Sequence, residues 1–372
     1  MRICIYNVTS CHLHGGLETY CWEMGRALAR CGHDVSLVAG ARGDAWHDEV
    51  TLAQFPFRLE QDWPDLGHRF QRLMERLSFA RLALDHVLSA GYDAVVIAKP
   101  YDFPVMWRAR RRGLKAQVAF HASGTEFYLG DRWFAGAVDH WLAVSRHTAR
   151  QQEGRYGRTT SVIHNGVDAD RFHAIGRDPD LRKAWGVPAN ARLIVSTGRL
   201  VGWKGLRVVV SAMPGLDRDV HYLVVGAGSE AEPLRAHAAA LGVADRVHLP
   251  GRIEHQKLPA VLSQADIYVQ PSIGEESFGI SVVEAMACRL PVLASNFSAL
   301  PEVVADGETG MLVAPGDVSA WTSALAGLLA DPARRQRMGA AARARAEAKF
   351  TWMACARELE AVLMGGVKCA AS

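Results

Sequence analysis

The chain has 372 residues, 49% hydrophobic and 22% charged; this excludes a disordered chain, and the length exceeds one ordinary core, so about two domains are expected. A net charge of +3 is too small at this length to mark a nucleic-acid binder, and seven cysteines in mostly apolar or helical surroundings imply reduced thiols rather than a disulfide framework. No signal-peptide core and no run of about 20 apolar residues occurs, so a cytoplasmic protein is expected.

In chain order, Arg2–Val8 reads as a strand, Gly16–Cys31 as an amphipathic helix closed by Gly32, and Asp34–Ala39 as the next strand. Strand-like runs recur at Ala94–Ala98, Gln117–His121 and His140–Ser145. After a polar stretch from Asn165 to Pro179 the scheme repeats at Leu193–Thr197, Val220–Val225, Arg246–Leu249, Ile267–Gln270 and Pro291–Ala294. Parallel strands need long crossovers, so this alternation predicts an α/β fold of two doubly wound domains. The expected division is 1–170, 171–350 and a segment 351–372, whose helix Trp352–Met364 either closes the second domain or crosses back to the first.

Open parallel sheets bind ligands at the carboxyl ends of their strands, so the residues after each strand are the candidates. The first strand is followed by His14-Gly15-Gly16-Leu17-Glu18-Thr19, where two glycines before a helix permit close approach of a phosphate; a plain turn fits equally well, and no dinucleotide fingerprint is present. The Leu193 strand leads to Gly198-Arg199 and Lys204-Gly205, two cations five residues apart across a tight turn. A diphosphate, with charge of about −2 to −3, needs such a pair.

The stretch Pro271 to Ala287 is the most informative. It places Glu276 in a loop, Ser277 and Phe278 at the start of a helix beginning near Phe278, free N–H groups at Gly279 and Ile280, and Glu284 among apolar helix residues. A carboxylate in apolar surroundings needs a hydrogen-bonding partner, which sugar or ribose hydroxyls supply. Taken singly, Glu276 and Glu284 also fit a helix-start acid and an internal ion pair. His121, before Ala122-Ser123-Gly124-Thr125-Glu126, is expected to face a cleft between the domains.

Together these motifs resemble the family 4 glycosyltransferases, retaining enzymes of the GT-B fold, with two Rossmann-like domains facing a central cleft. The resemblance rests on Gly15-Gly16-Leu17-Glu18, Ile163-His164-Asn165-Gly166-Val167-Asp168, Gly198-Arg199 with Lys204-Gly205, and the Glu276…Glu284 spacing continued by Ala285-Met286-Ala287. It implies that Arg199 and Lys204 hold the diphosphate of a nucleotide-sugar donor, and that Glu276 and His121 meet the donor sugar. By the same resemblance Glu284 meets the ribose, Gly279 and Ile280 the phosphates, Gly16 the diphosphate, and Arg252 lies beside the nucleobase. UDP-sugars are favoured, with GDP-mannose open.

No cofactor and no metal is expected. Asp168-Ala169-Asp170 and Asp217-Arg218-Asp219 read as solvated turns rather than metal ligands. The expected acceptor is a glycan or lipid-linked hydroxyl, as in cell-surface polysaccharide or lipopolysaccharide synthesis. The stretch Met106 to Lys115, with five basic residues, and Arg72, Arg76 and Arg81 on the helix-like run Phe70 to Leu84 fit an anionic membrane surface on the inner face, or an ordinary solvated helix. Rival readings are a sugar-nucleotide epimerase or phosphorylase, a nicotinamide-dependent dehydrogenase, and a non-catalytic nucleotide-sugar-binding protein.

Overall fold

A computed structural model describes residues 1–13, 15–42, 49–124 and 126–365; His14, Thr125 and the tail beyond Gly365, named above, lie outside the described residues. The chain forms two compact units. One comprises Met1–Asn165 with the segment from Trp352 onward, and the other Gly166–Thr351.

The first unit contains β1 (Arg2–Tyr6), β2 (Asp34–Gly40), β3 (Thr51–Phe55), β4 (Ala94–Ile97), β5 (Gln117–Ala122), β6 (His140–Ala143) and β7 (Ser161–Val162). They lie in the order β3-β2-β1-β4-β5-β6-β7, every neighbouring pair parallel. Central strands run apolar without alternation because helices cover both faces; Ile3, Cys4, Ile5 and Tyr6 are all buried. Phe103 stands edge-on to Phe120 at 4.8 Å and Trp141 edge-on to Phe120 at 5.6 Å, an arrangement favoured by the ring quadrupoles. The helix His68–Ser89 buries Phe79, Ala80, Ala83, Leu84 and Val87 at helical spacing.

Arg76 lies on that buried face. It is 4% exposed, and its guanidinium holds both oxygens of the buried Asp102, at 2.6 and 2.7 Å, and Asn7 Oδ1 at 3.1 Å. Its assignment to a basic surface is therefore corrected: helical periodicity aligns it with Phe79 and Ala83, and a guanidinium enters such a core only with a carboxylate partner. The helix Trp352–Leu363 belongs to this unit, packing along Gly16–Arg30, with the Tyr20 and Trp352 rings 6.3 Å apart.

The second unit contains β8 (Arg192–Thr197), β9 (Val220–Val225), β10 (Val247–Gly251), β11 (Ile267–Gln270), β12 (Val292–Ser295) and β13 (Gly310–Val313). Their order is β10-β9-β8-β11-β12-β13, again all parallel. Ile194, Tyr222, Val269, Leu293 and the fully buried Trp321 share its core. In both sheets the chain starts near the middle, runs outward to one edge, then returns and builds the other. The reversal lies between β1 and β4 in one sheet and between β8 and β11 in the other.

Three strands, β3, β7 and β13, are not predicted by the sequence patterns. The first strand ends at Tyr6 rather than Val8, because Val8–Cys11 turns into a 3-10 helix. The helix expected near Phe278 begins at Ile280: Gly279 precedes it at φ 96°, a left-handed conformation that keeps Phe278 out of the helix.

Candidate active site

Ligands of open parallel sheets bind outside the carboxyl ends at the point of reversal. In the second unit β8 and β11 meet there, and each runs into a loop carrying one member of an ion pair. Lys204 ends the 3-10 turn Gly202–Lys204 after β8, and Glu276 lies in the loop after β11. Ile273 N and Gly274 N both donate to Trp203 O, at 2.9 and 3.0 Å, so the two loops are stitched together. Gly205 permits this closeness: its φ is 65°, and a Cβ there would stand 2.0 Å from Pro271 O.

Lys204 Nζ lies 2.6 Å from Glu276 Oε2, with both side chains 12% exposed. The same oxygen accepts hydrogen bonds from Gln270 Nε2 at 3.1 Å and Ser272 Oγ at 3.4 Å. Ser298 holds the Glu276 backbone, accepting from its N–H at 3.1 Å and donating to its carbonyl at 2.7 Å. One carboxylate oxygen is thus fixed three ways, while Glu276 Oε1 has no hydrogen-bond partner among the described residues. The Lys204 ammonium also lies 4.8 Å from the centre of the Trp203 ring.

The helix Ile280–Ala287 follows, entered from Gly279 with no side-chain cap, so its first N–H groups and the positive end of its dipole are available to an anion. Glu284, 4% exposed inside this helix, meets His255 Nε2 at 2.5 Å. Arg199 and Arg252 are exposed and make no ion pair among the described residues. Phe278 packs edge-on against Phe350 at 5.6 Å, so its side chain belongs to the core rather than to a ligand. Ser277 is half-buried in the same loop.

In the first unit Gly15 precedes, and Gly16 opens, the helix Gly16–Arg30, whose Glu18 accepts from Thr9 Oγ1 at 2.6 Å. His121, near the end of β5, is 1% exposed. Its Nε2 bonds Ile163 O at 2.9 Å, its ring lies 4.6 Å from that of Tyr20, and Nδ1 has no partner among the described residues. Burial pushes its pKa down to about 4, so the imidazole is neutral at pH 7.

Gln270, Ser298 and His255 are the groups that reading the sequence missed. Gln270 carried a signal, a polar residue ending a buried strand at its carboxyl end. His255 and Ser298 carried none, because only folding brings them to Glu284 and Glu276. Both acidic triplets are engaged elsewhere: Asp168 Oδ1 accepts from Asp170 N and Arg171 N, and Asp217 and Asp219 bind Arg192.

Two family models match the chain in succession, Glycosyltransferase Family 4 over residues 14–171 and Glycosyl transferases group 1 over residues 177–345. The GDP-mannose-dependent alpha-(1-6)-phosphatidylinositol monomannoside mannosyltransferase of Mycolicibacterium smegmatis is 35% identical, over 94% of this chain and 95% of the relative. The phosphatidyl-myo-inositol mannosyltransferase of Mycobacterium leprae is 30% identical, over 96% and 95%. The chain belongs to the family 4 glycosyltransferases. Solved structures agree on the fold of this glycosyltransferase. Sucrose-phosphate synthase from Thermosynechococcus elongatus matches with a TM-score of 0.83 at 23% identity, covering 98% of each chain. HepE from Anabaena, in complex with UDP and glucose, matches with a TM-score of 0.80 at 21% identity, covering 98% of this chain and 99% of that one. The glycosyltransferase therefore has the GT-B fold, two Rossmann-like domains each built on a parallel sheet.

Proposed function

We propose that this glycosyltransferase moves a hexose from a nucleotide-sugar donor to a hydroxyl of a glycan or lipid-linked acceptor, with retention and without a metal ion. The observation that carries the reading is the Lys204–Glu276 pair at the reversal point, beside an uncapped helix start. When the sugar–phosphate bond breaks, negative charge grows on the diphosphate and positive charge on the sugar ring. Lys204 and Arg199 neutralise the first, and the N–H groups of Gly279 and Ile280 donate to the same phosphates. Glu276, with Oε1 open, binds donor-sugar hydroxyls, and Glu284 the ribose. The departing phosphate then takes the acceptor proton on the face from which it leaves. Engagement of both acidic triplets in turns and ion pairs supports the metal-free reading.

Relatives at 30–35% identity whose names specify mannosyl transfer support GDP-mannose as donor over the UDP-sugars favoured by sequence alone. A thermal-shift screen of GDP-mannose and UDP-glucose, each with and without EDTA, tests the site in wild type, Lys204→Ala and Glu276→Ala. Stabilisation that survives EDTA and disappears in both variants is expected. No response to any nucleotide sugar, or equal responses in the variants, refutes the assignment. Retention is read from the anomeric coupling of the first-formed product by NMR.

The same reading includes contact with an anionic membrane. Leu129 and Trp133 are 98% and 82% exposed at the helix Asp131–Phe134, with Trp107 stacked edge-on against Phe134 at 5.5 Å. Arg108, Arg111 and Arg132 are exposed around them, while Arg110 and Arg112 are occupied by Asp139 and Asp85. Exposed aromatic side chains ringed by arginines suit an anionic lipid interface. Co-sedimentation with phosphatidylglycerol vesicles that persists unchanged in Leu129→Ser/Trp133→Ser excludes this contact.

A further inference from the structure

After β12 the chain reads Asn296-Phe297-Ser298-Ala299-Leu300 and turns, with Leu300 N donating to Phe297 O at 3.3 Å. Ser298 holds the first central position of that turn at φ 58°. Turns with positive φ there take glycine or asparagine, because a Cβ crowds the neighbouring carbonyl. Among the described residues every other positive φ belongs to a glycine except that of Arg289. Arg289 has a local explanation: it ends the helix Ile280–Ala287, where Leu290 N bonds Ala285 O at 3.1 Å and Arg289 N bonds Met286 O at 3.0 Å. Ser298 ends no helix.

A strained residue persists where its surroundings over-determine it. At Ser298 the hydroxyl does so. Its Oγ accepts from Glu276 N at 3.1 Å and donates to Glu276 O at 2.7 Å, and Ala299 N donates to the same carbonyl at 3.2 Å. A hydroxyl donates and accepts from one atom; neither glycine nor asparagine can. Leu300, fully buried, closes on the far end of the same loop, where a Cβ added at Gly279 would stand 3.2 Å from its Cδ2. The turn after β12 thus braces the stretch from Glu276 to Gly279 at both ends.

The brace bears on the direction of one oxygen. Lys204, Gln270 and Ser272 all meet Glu276 Oε2; contacts converging on a single atom fix its place but let the carboxylate swing about it. Pinning the backbone at the other end of the side chain removes that freedom and sets where Oε1 points. A misdirected oxygen loses a charge-assisted hydrogen bond, which weakens steeply with angle. We propose that Ser298 is a positioning residue, whose hydroxyl, carried on a left-handed backbone, aims Glu276 Oε1 at the donor sugar. The inference rests on the donor-sugar role of Glu276 given above and adds the group that orients it.

Isothermal titration of the full chain with two pairs of probes, GDP-mannose with GDP and UDP-glucose with UDP, tests it in wild type, Ser298→Gly, Ser298→Ala and Glu276→Ala, alongside thermal midpoints. Glycine removes strain and hydroxyl together, alanine the hydroxyl alone. Ser298→Gly should therefore melt near wild type and Ser298→Ala a few degrees lower. Both should weaken the nucleotide sugar about tenfold, the loss of one charge-assisted hydrogen bond, and hold the sugar-free nucleotide within about twofold. A purely structural role makes affinity follow stability, so a nucleotide sugar bound normally by Ser298→Gly and weakly only by Ser298→Ala overturns the proposal, as does equal loss of nucleotide and nucleotide sugar. If Glu276→Ala weakens the nucleotide sugar while both Ser298 variants match wild type, this proposal alone falls. If Glu276→Ala binds it like wild type, the donor-sugar role of Glu276 falls first and takes the proposal with it.

Discussion

Glu276 Oε2 receives an ammonium, an amide and a hydroxyl, so its position does not depend on Lys204 alone. Lys204→Ala should therefore leave the loop in place while removing the charge that meets the leaving phosphate. A fall of about 10²–10³ in kcat is expected, the usual cost of one transition-state donor, with a change in thermal midpoint of no more than a few degrees. Gln270→Leu takes away a buried donor to Glu276 without touching any charge. It should raise the donor KM and lower kcat together, by about tenfold each, since a misplaced carboxylate weakens ground-state and transition-state contacts alike. Lys204, Glu276 and Glu284 were legible in the sequence because strand exits and a helix start fix where they emerge. Ser298 and His255 were not, because their contacts with Glu276 and Glu284 join separate segments of the chain, whereas Gln270, six residues before Glu276, was marked only by its polar side chain at the end of a buried strand.

At the scale of elements, the central strands were readable as uninterrupted apolar runs, which burial on both faces requires. The edge strands β3 and β7 were not: β3 is Thr-Leu-Ala-Gln-Phe with no buried residue, and β7 is two residues long. An edge strand lacks the second neighbour that would impose an apolar pattern. The loops after β8 and β11 depend on Gly205, and Gly205→Ala drives a methyl group into Pro271 O besides straining a left-handed backbone. A loss of about 1–3 kcal/mol in unfolding free energy is expected, checked by urea titration. Across β9 and β10, His221 Nδ1 lies 2.9 Å from His248 Nε2 with the rings stacked. Burial and the neighbouring His221 push His248 down to about 4. The folded pKa lies below the unfolded value near 6.5, so the unfolded chain takes up the proton first as pH falls. Stability is full above about pH 6.5 and declines toward pH 4, by up to about 1.4 kcal/mol per pH unit for this group. Thermal midpoints between pH 7 and 4.5 should drop more gently in His248→Gln than in wild type.

For the molecule as a whole, two units of the same architecture were legible from the repeated alternation of strand and helix. The destination of the last helix was not, because an amphipathic pattern states that a face must be buried and not against what. Trp352, Leu359 and Leu363 are each at most 5% exposed against the first unit, and each large apolar side chain so buried contributes about 1.5–3 kcal/mol. Ending the chain at Thr351 should lower the stability of the first unit by several kcal/mol while the second keeps its Lys204-dependent nucleotide binding, measurable by hydrogen exchange resolved along the chain. Synthesis on the ribosome gives this helix a further meaning. The second unit is one continuous stretch and is able to fold while translation proceeds, but the first waits with its Tyr20 face uncovered until the helix Trp352–Leu363 leaves the exit tunnel. The unit begun before the other is thus completed after it, and a stop codon just ahead of Trp352 would strike that unit rather than the one whose synthesis it directly follows.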